Sequence, residues 1–243
     1  MSRVTKGQAM QMVVLAGGLG TRLWPLTDQM PKSLIPVNGR PFLEHQLELF
    51  KRNGIRDIVL CVGYLGGEIK RYFGDGSRFG ADIRYSEEGE ELLGTAGAIR
   101  NAEALLANEF FLTYGDSYLL LDYGAVTDRF RQRDRLGLMV VYRNCNHLDR
   151  SNVIVEGDLV KVYDKEGHTP EMDYINYGVS LLRKEALTLI PPGRPFTQEE
   201  LYQLLIEQEQ LLAFETNQRF YEIGSPRGLD EFRRLVAEGV IRP

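Results

Sequence analysis

Short apolar runs alternate with amphipathic stretches through the first half of the chain. Residues 12–15 and 57–62 are nearly continuous apolar runs, the pattern of strands buried on both faces of a parallel sheet. Residues 81–85 and 110–114 predict two further strands, the second ending in Gly115-Asp116. Residues 41–53 predict a helix: Pro41 suits its first turn, Leu43, Leu47 and Phe50 share a face, and Gly54 ends it. A short helix is predicted over 67–73, and a longer one over 95–107, opened by a second glycine-rich turn. Strand alternating with helix implies right-handed βαβ units and a parallel sheet. In such sheets ligands bind beyond the carboxyl ends of the strands, where both glycine-rich turns and Asp116 fall.

The second half changes character. It predicts a helix over 124–135, a strand over 137–142, and a hairpin of 153–155 with 159–163 around Glu156-Gly157-Asp158. A long strand follows over 174–182, then helices over 184–190 and 198–207, short strands over 212–215 and 220–223, and a terminal helix over 226–237 that starts at Pro226. With no repeat, low-complexity tract or linker, residues 12–243 are read as one domain carrying an inserted lobe, behind a flexible extension of residues 1–11.

Composition narrows the class. A chain of 243 residues can bury a proper core. A net charge of −5 argues against a dedicated nucleic-acid binder, yet leaves room for a local basic pocket. Cys61 and Cys145 lie in apolar, strand-like contexts without CxxC spacing, and are read as buried thiols of a reducing cytoplasm. No run reaches membrane-spanning length, and residues 1–11 lack a signal-peptide core, so a soluble, cytoplasmic protein without membrane partners is expected.

The candidate chemistry gathers at Leu15-Ala16-Gly17-Gly18-Leu19-Gly20-Thr21-Arg22-Leu23, followed by Pro31-Lys32-Ser33-Leu34-Ile35-Pro36-Val37. Gly17, Gly18 and Gly20 clear side chains from the backbone, so its N–H groups can face a base edge or phosphate oxygens. Arg22 adds a permanent forked cation and Lys32 a compact one. Taken alone, the glycine turn fits a phosphate site and a tight structural turn equally. It is not a P-loop, since no Gly-Lys-Ser/Thr closes it. Nor is it a dinucleotide fingerprint, since Leu23 stands where the third glycine belongs.

Gly-Gly-x-Gly-Thr-Arg-Leu joined to Pro-Lys at this spacing closely resembles the signature of the sugar-phosphate nucleotidylyltransferases, and the resemblance extends from Met12 to Leu235. It implies an α/β fold of the nucleotide-diphospho-sugar transferase type: a Rossmann-like three-layer sandwich with a mostly parallel mixed sheet and a small sugar-side lobe. It also implies roles. Leu15, Ala16, Gly17, Gly18, Gly20 and Thr21 would hold the nucleotide, while Arg22 and Lys32 brace its triphosphate. Leu93-Gly94-Thr95-Ala96-Gly97-Ala98 falls where the family binds base and ribose, which points to Gly94, Thr95 and Glu88. For any one of Glu87, Glu88 and Glu91 taken alone, a polar loop residue is the stronger reading, and Gly94 and Thr95 are the better candidates.

Asp116, in Tyr114-Gly115-Asp116-Ser117, matches the family's aspartate for Mg²⁺. Glu222, in Tyr221-Glu222-Ile223-Gly224-Ser225-Pro226, stands where the family has an aspartate as second metal ligand, one methylene shorter. Asp164-Lys165 resembles the family's Glu-Lys, in which the acid holds a sugar hydroxyl and the lysine the sugar phosphate; here the acid is the shorter one. Asn176 and Gly178 resemble the Asn-x-Gly strand of the sugar pocket.

The implied reaction joins an NTP and a sugar 1-phosphate into an NDP-sugar and pyrophosphate, with Arg22, Lys32, Asp116 and Lys165 as the catalytic set and Mg²⁺ as cofactor. A phosphate monoester, with a second pKa of about 6, is already mostly dianionic at neutral pH. No general base is needed, so the scarcity of histidines (His45, His147 and His168) is no obstacle. The run 73–80, Ser86 and Leu93-Gly94-Thr95 resemble the short guanylyltransferases of mannose- or heptose-type 1-phosphates, and also uridylyltransferases. GTP is expected, with uridylyl or cytidylyl transfer as the alternative. A sugar-nucleotide-binding regulatory subunit would be expected to lose Arg22, Lys32 or Asp116, and none is lost. Nucleic acid is not an expected partner; a homo-oligomer is compatible with the sequence.

Overall fold

The computed structural model describes residues 10–89, 92–147, 149–167 and 169–241, so Glu91 and His168 lie outside the described residues. Strand β1 (Gln11–Leu15) leads through 3-10 turns at Thr21–Leu23 and Lys32–Leu34 to the two-residue strands β2 (Pro36–Val37) and β3 (Arg40–Pro41). Helix α1 (Phe42–Arg52), β4 (Asp57–Val62), α2 (Gly66–Phe73), β5 (Asp82–Glu87), α3 (Gly94–Asn101) and β6 (Glu109–Tyr114) complete the alternating half. Then come β7 (Ser117–Leu119), α4 (Tyr123–Arg131), β8 (Gly137–Arg143), β9 (Val153–Glu156), β10 (Leu159–Tyr163) and β11 (Tyr174–Arg183). The chain closes with α5 (Gln198–Glu207), β12 (Leu211–Thr216), β13 (Phe220–Glu222) and α6 (Pro226–Ala237).

Among the described residues, nine strands form one mixed sheet in the order β5-β4-β1-β6-β11-β8-β12-β10-β9. β5, β4, β1 and β6 are parallel, as are β8 and β12; β11 and β10 run against the others. The chain moves outward from β1 to β4 and β5, then returns to place β6 on the other side of β1. That reversal opens a crevice at the carboxyl end of β1.

The strand pleat decides which face each side chain joins. Met12, Val14, Ile58, Leu60 and Phe111 pack with residues of α1, α2 and α4. Val13, Val59, Phe110 and Leu112 pack with residues of α3 and α5. Helices therefore cover both faces. A third core joins Leu23, Ile35 and Val37 of the first loop to Tyr118 of β7, Ile223, and Leu229 and Phe232 of α6.

The apolar pattern located most elements, and the departures have local causes. β1 starts at Gln11, which is buried and pairs in register with Asp57 and Phe110. The Gln11 amide also bonds Leu105 O (3.1 Å) and Ala107 N–H (2.8 Å). Those backbone groups are thereby engaged outside a helix, and α3 stops at Asn101 rather than near 107. α4 starts at Tyr123, with Asp122 as its cap accepting Ala125 N–H at 2.9 Å, and ends at Arg131, short of the expected 135. Residues 184–189 form a 3-10 turn instead of an α-helix. Cys61 is buried as expected, but Cys145 is exposed, on a turn at φ 44° beyond β8. The apolar run ends before it, and Asn144 closes the turn by donating to Asp149 O at 2.6 Å.

Candidate active site

Where β1 ends, the chain runs so close to the β4–α2 turn that a Cβ on Gly17 would lie 3.0 Å from Gly63 N. A cavity of about 230 Å³ opens there, at the carboxyl ends of β1, β4 and β6. Leu15, Ala16, Gly17 and Gly18 line one part of it; Glu88, Gly94 and Thr95 line another; Lys32 and Asp116 also reach it. The two glycine-rich turns, some seventy residues apart in sequence, thus border one space. Gly20 and Thr21 are not part of the lining. Gly20 turns the chain at φ 65°, its carbonyl accepting Thr27 Oγ1 at 2.9 Å, and Thr21 opens the 3-10 turn that carries Arg22.

The second turn is held by the segment before α5. Gly94 (φ 72°) has no room for a Cβ, which would meet Phe196 O at 2.8 Å. The same carbonyl accepts the N–H groups of Ala96 (2.9 Å) and Gly97 (3.0 Å), while Thr95 Oγ1 accepts Gln198 N–H at 2.7 Å. Burial raises the pKa of the Glu88 carboxyl. Cys61, also in the lining, is no nucleophile: burial, helped by the Glu88 charge, pushes its thiol up to about 12.

At the cavity edge the charged candidates converge. Lys32 Nζ donates to Asp116 Oδ2 at 2.5 Å, and both side chains are largely shielded from solvent. β13 pairs antiparallel with β7 so that Glu222 sits opposite Ser117, one residue from Asp116. Around Gly224 the crowding is tight. A Cβ there would lie 2.6 Å from Glu222 Oε2, 2.8 Å from Arg22 Nη2 and 2.9 Å from Asp116 Oδ2. Glu222 is fixed at the start of α6, accepting Gly224 N–H and, at 2.7 Å, Ser225 Oγ–H. A carboxylate there is favoured by the helix N-terminus.

The predicted sugar-side residues divide. Gly178 (φ 96°) lies at an irregularity of the β11–β8 pairing, where a Cβ would lie 3.7 Å from Ser117 Oγ, and Asn176 Oδ1 accepts Gly178 N–H at 2.9 Å. This part of β11 therefore adjoins the Asp116 turn. Asp164 and Lys165 do not line the cavity. Asp164 Oδ1 accepts the N–H groups of Glu166 (2.9 Å) and Gly167 (2.7 Å), bonds that hold its carboxyl below the usual range. Lys165 Nζ stands 5.9 Å from the Tyr163 ring centre.

Several contributors were absent from the sequence reading. Strand β7 is only three residues long, too short to show a pattern, yet its pairing brings Glu222 to Asp116. Tyr114, in the lining, donates to Gln198 Oε1 at 2.5 Å, starting a chain through Tyr202 OH to Ser180 Oγ. Gln46 is a polar residue within the apolar stripe of α1, which is the signal that could have found it.

Residues 11–233 match the family described as nucleotidyl transferase. The chain belongs to that family. A D-glycero-alpha-D-manno-heptose 1-phosphate guanylyltransferase of Campylobacter jejuni is 32% identical over 230 residues, spanning 92% of this chain and 98% of that protein. A mannose-1-phosphate guanyltransferase of Candida albicans is 29% identical over 228 residues; the match covers 90% of this chain but 62% of that longer protein. Among solved structures, HddC from Yersinia pseudotuberculosis, also solved in complex with GMP-PN, aligns with a TM-score of 0.76 at 26% identity, covering 93% of this chain and 99% of that one. The chain is thus a nucleotidyltransferase with the α/β, mixed-sheet fold of this family. No helix of the described residues is long and apolar enough to cross a membrane.

Proposed function

We propose that the protein transfers GMP from GTP to a mannose- or heptose-type sugar 1-phosphate, giving a GDP-sugar and pyrophosphate. The observation that carries this reading is the meeting of Arg22, Lys32, Asp116 and Glu222 at the edge of a cavity lined by two glycine-rich turns. The relatives named for guanylyl transfer support the base. So does Glu88: guanine presents adjacent N1–H and N2–H donors to a carboxylate, whereas uracil flanks its one N–H with carbonyls.

The reaction forms a bond between a sugar-phosphate oxygen and the α-phosphorus, and breaks the α–β bridge so that pyrophosphate leaves. The acceptor is already anionic, so the protein's work is to bring mutually repelling anions into line. In this reading the glycine backbone at Leu15–Gly18 and the Gly94–Thr95 turn hold base and ribose, with Gly20 and Thr21 shaping the loop that carries Arg22. Arg22 and Lys32 offset charge on the triphosphate, Lys32 leaving Asp116 to do so. Asn176 and Gly178 face the sugar. Asp164 and Lys165 follow β10 near the β9 edge of the sheet, taken in this reading as the sugar side, and Lys165 would reach the incoming phosphate by swinging off Tyr163.

Asp116 and Glu222 offer hard oxygen donors at one place. That suits Mg²⁺, which takes one or two carboxylates and completes its shell with phosphate oxygens and water. When bound, the ion would neutralise charge on the triphosphate. Residues 12–243 would form a single catalytic unit in a Rossmann-like arrangement, working in a reducing cytoplasm where both cysteines stay free.

The test is pyrophosphate release with Mg²⁺, pairing each of the four NTPs with mannose, heptose and glucose 1-phosphates. GTP with mannose- or heptose-type acceptors should react at least tenfold faster than any other pair. Preference for UTP or CTP would overturn the base assignment, and GTP binding without turnover on any acceptor would point to a regulatory binding protein.

A further inference from the structure

Gln46 is completely buried in α1, yet its side chain is not satisfied. Nε2 donates to Tyr114 O at 2.8 Å and to Ser117 O at 2.6 Å. Both neighbours are carbonyl oxygens, so the amide has one possible orientation, with the NH₂ group toward them. Oε1 is then left buried with no partner among the described residues. A methionine of the same length would avoid that unpaired oxygen, so the glutamine is poorly explained as core packing.

What it grips is the turn that carries Asp116. The carbonyls on either side, at positions 114 and 117, are both held by this one amide from α1. Within the turn, Gly115 N–H donates to Leu15 O at 2.9 Å, and Asp116 O accepts Ile223 N–H at 2.9 Å. The turn is thus tied to three elements: to β1, to the segment that carries Glu222, and through Gln46 to α1. Remove the Gln46 bonds and the β6–β7 turn keeps its tethers to β1 and to Ile223 but loses the one that spans Asp116 from both sides.

We infer that Gln46 is a positioning residue, which sets the Asp116 carboxylate relative to Lys32 and Glu222 by clamping the backbone before and after it. Its catalytic consequence rests on the function proposed above; the clamp itself does not. A displacement of about 1 Å at a reacting centre costs on the order of 100-fold in rate.

The experiment compares the wild-type protein with Gln46→Met by two readouts. Hydrogen–deuterium exchange needs no substrate: amides of the 114–119 segment should exchange at least tenfold faster in the variant, while those of α6 change less than twofold. In pyrophosphate release, kcat should fall at least tenfold while KM for GTP stays within threefold, a split that general destabilisation would not give. A folded variant whose turn exchange stays within twofold of wild type would overturn the clamp; faster exchange without a loss in kcat would overturn its role in catalysis.

Should Gln46→Met not fold, Gln46→Glu serves. Its carboxyl can donate to a carbonyl only when protonated, so its activity relative to wild type should rise as pH is lowered from 8 to 6, and a flat ratio would overturn the inference. If the wild-type protein released no pyrophosphate from any pair, the functional reading would fall, and the exchange comparison would still decide the clamp.

Discussion

Gly224 stands where a single methyl group would disturb three charged side chains at once. Arg22 could swing aside, but the Glu222 and Asp116 carboxylates would have to separate around the new Cβ. Gly224→Ala should therefore lower kcat for pyrophosphate release by about 100-fold, on the scale expected for a displacement near 1 Å, while the melting temperature moves by only a few degrees. Glu88→Gln tests the base: replacing an acceptor-only group by an amide should cost GTP about tenfold in kcat/KM, equivalent to roughly 1–2 kcal/mol, and UTP less. Arg22, Lys32, Asp116 and Glu222 were singled out by the motifs the chain shares with its family, and the structure brings their side chains together. The placement of Asp164 was not legible in the sequence. Its carboxylate could face a ligand or its own backbone, and two N–H groups downstream claim it. Gln46 stands out as a polar residue in the apolar stripe of α1, but its partners are backbone carbonyls distant in sequence, and no residue pattern encodes them.

The helices whose ends are written in side chains were the ones located best. α5 begins after Thr197, whose side chain accepts Glu200 N–H while the Glu200 carboxylate accepts Thr197 N–H, a reciprocal capping box. α6 begins with Ser225 as cap and Pro226 in its first turn. Thr197→Ala and Ser225→Ala should each lower unfolding free energy by about 1 kcal/mol in denaturant titrations. Their catalytic effects should differ. Ser225 also holds Glu222 Oε1, so its loss should reduce kcat several-fold beyond any effect of the Thr197 change. α3 ends sooner than its apolar pattern implies because the group that claims Leu105 O and Ala107 N–H, the Gln11 amide, is distant in sequence. β7 and β13, three residues each, are made by their pairing rather than by propensity.

Across the whole molecule, the alternating first half announced its parallel strands, while the antiparallel insertion of β11 between β6 and β8 had no local signal. His45 reports on the seam joining the first loop and α1 to α6. It is buried in α1 with Nε2 on Val37 O at 3.1 Å and its ring edge-on to Phe232 of α6. Burial, with a smaller push from Arg40 and against the pull of the Val37 bond and Glu44, keeps its pKa below the ordinary value near 6.5. The unfolded chain binds that proton first. This contribution to stability is therefore complete above about pH 6.5 and declines as pH falls from there toward the lowered folded pKa. Melting temperature should drop between pH 7.5 and 5.5, and His45→Gln should flatten that slope whatever it does to the absolute value.

The same seam has a consequence for how the protein is made. The loop bearing Arg22 and Lys32 is synthesised well before its apolar partners Ile223, Leu229 and Phe232. Until they arrive, Leu23, Ile35 and Val37 have lost much of their cover and Asp116 lacks Glu222 opposite it. A chain not yet extended through α6 would thus leave an apolar face open beside the loop that carries Arg22 and Lys32.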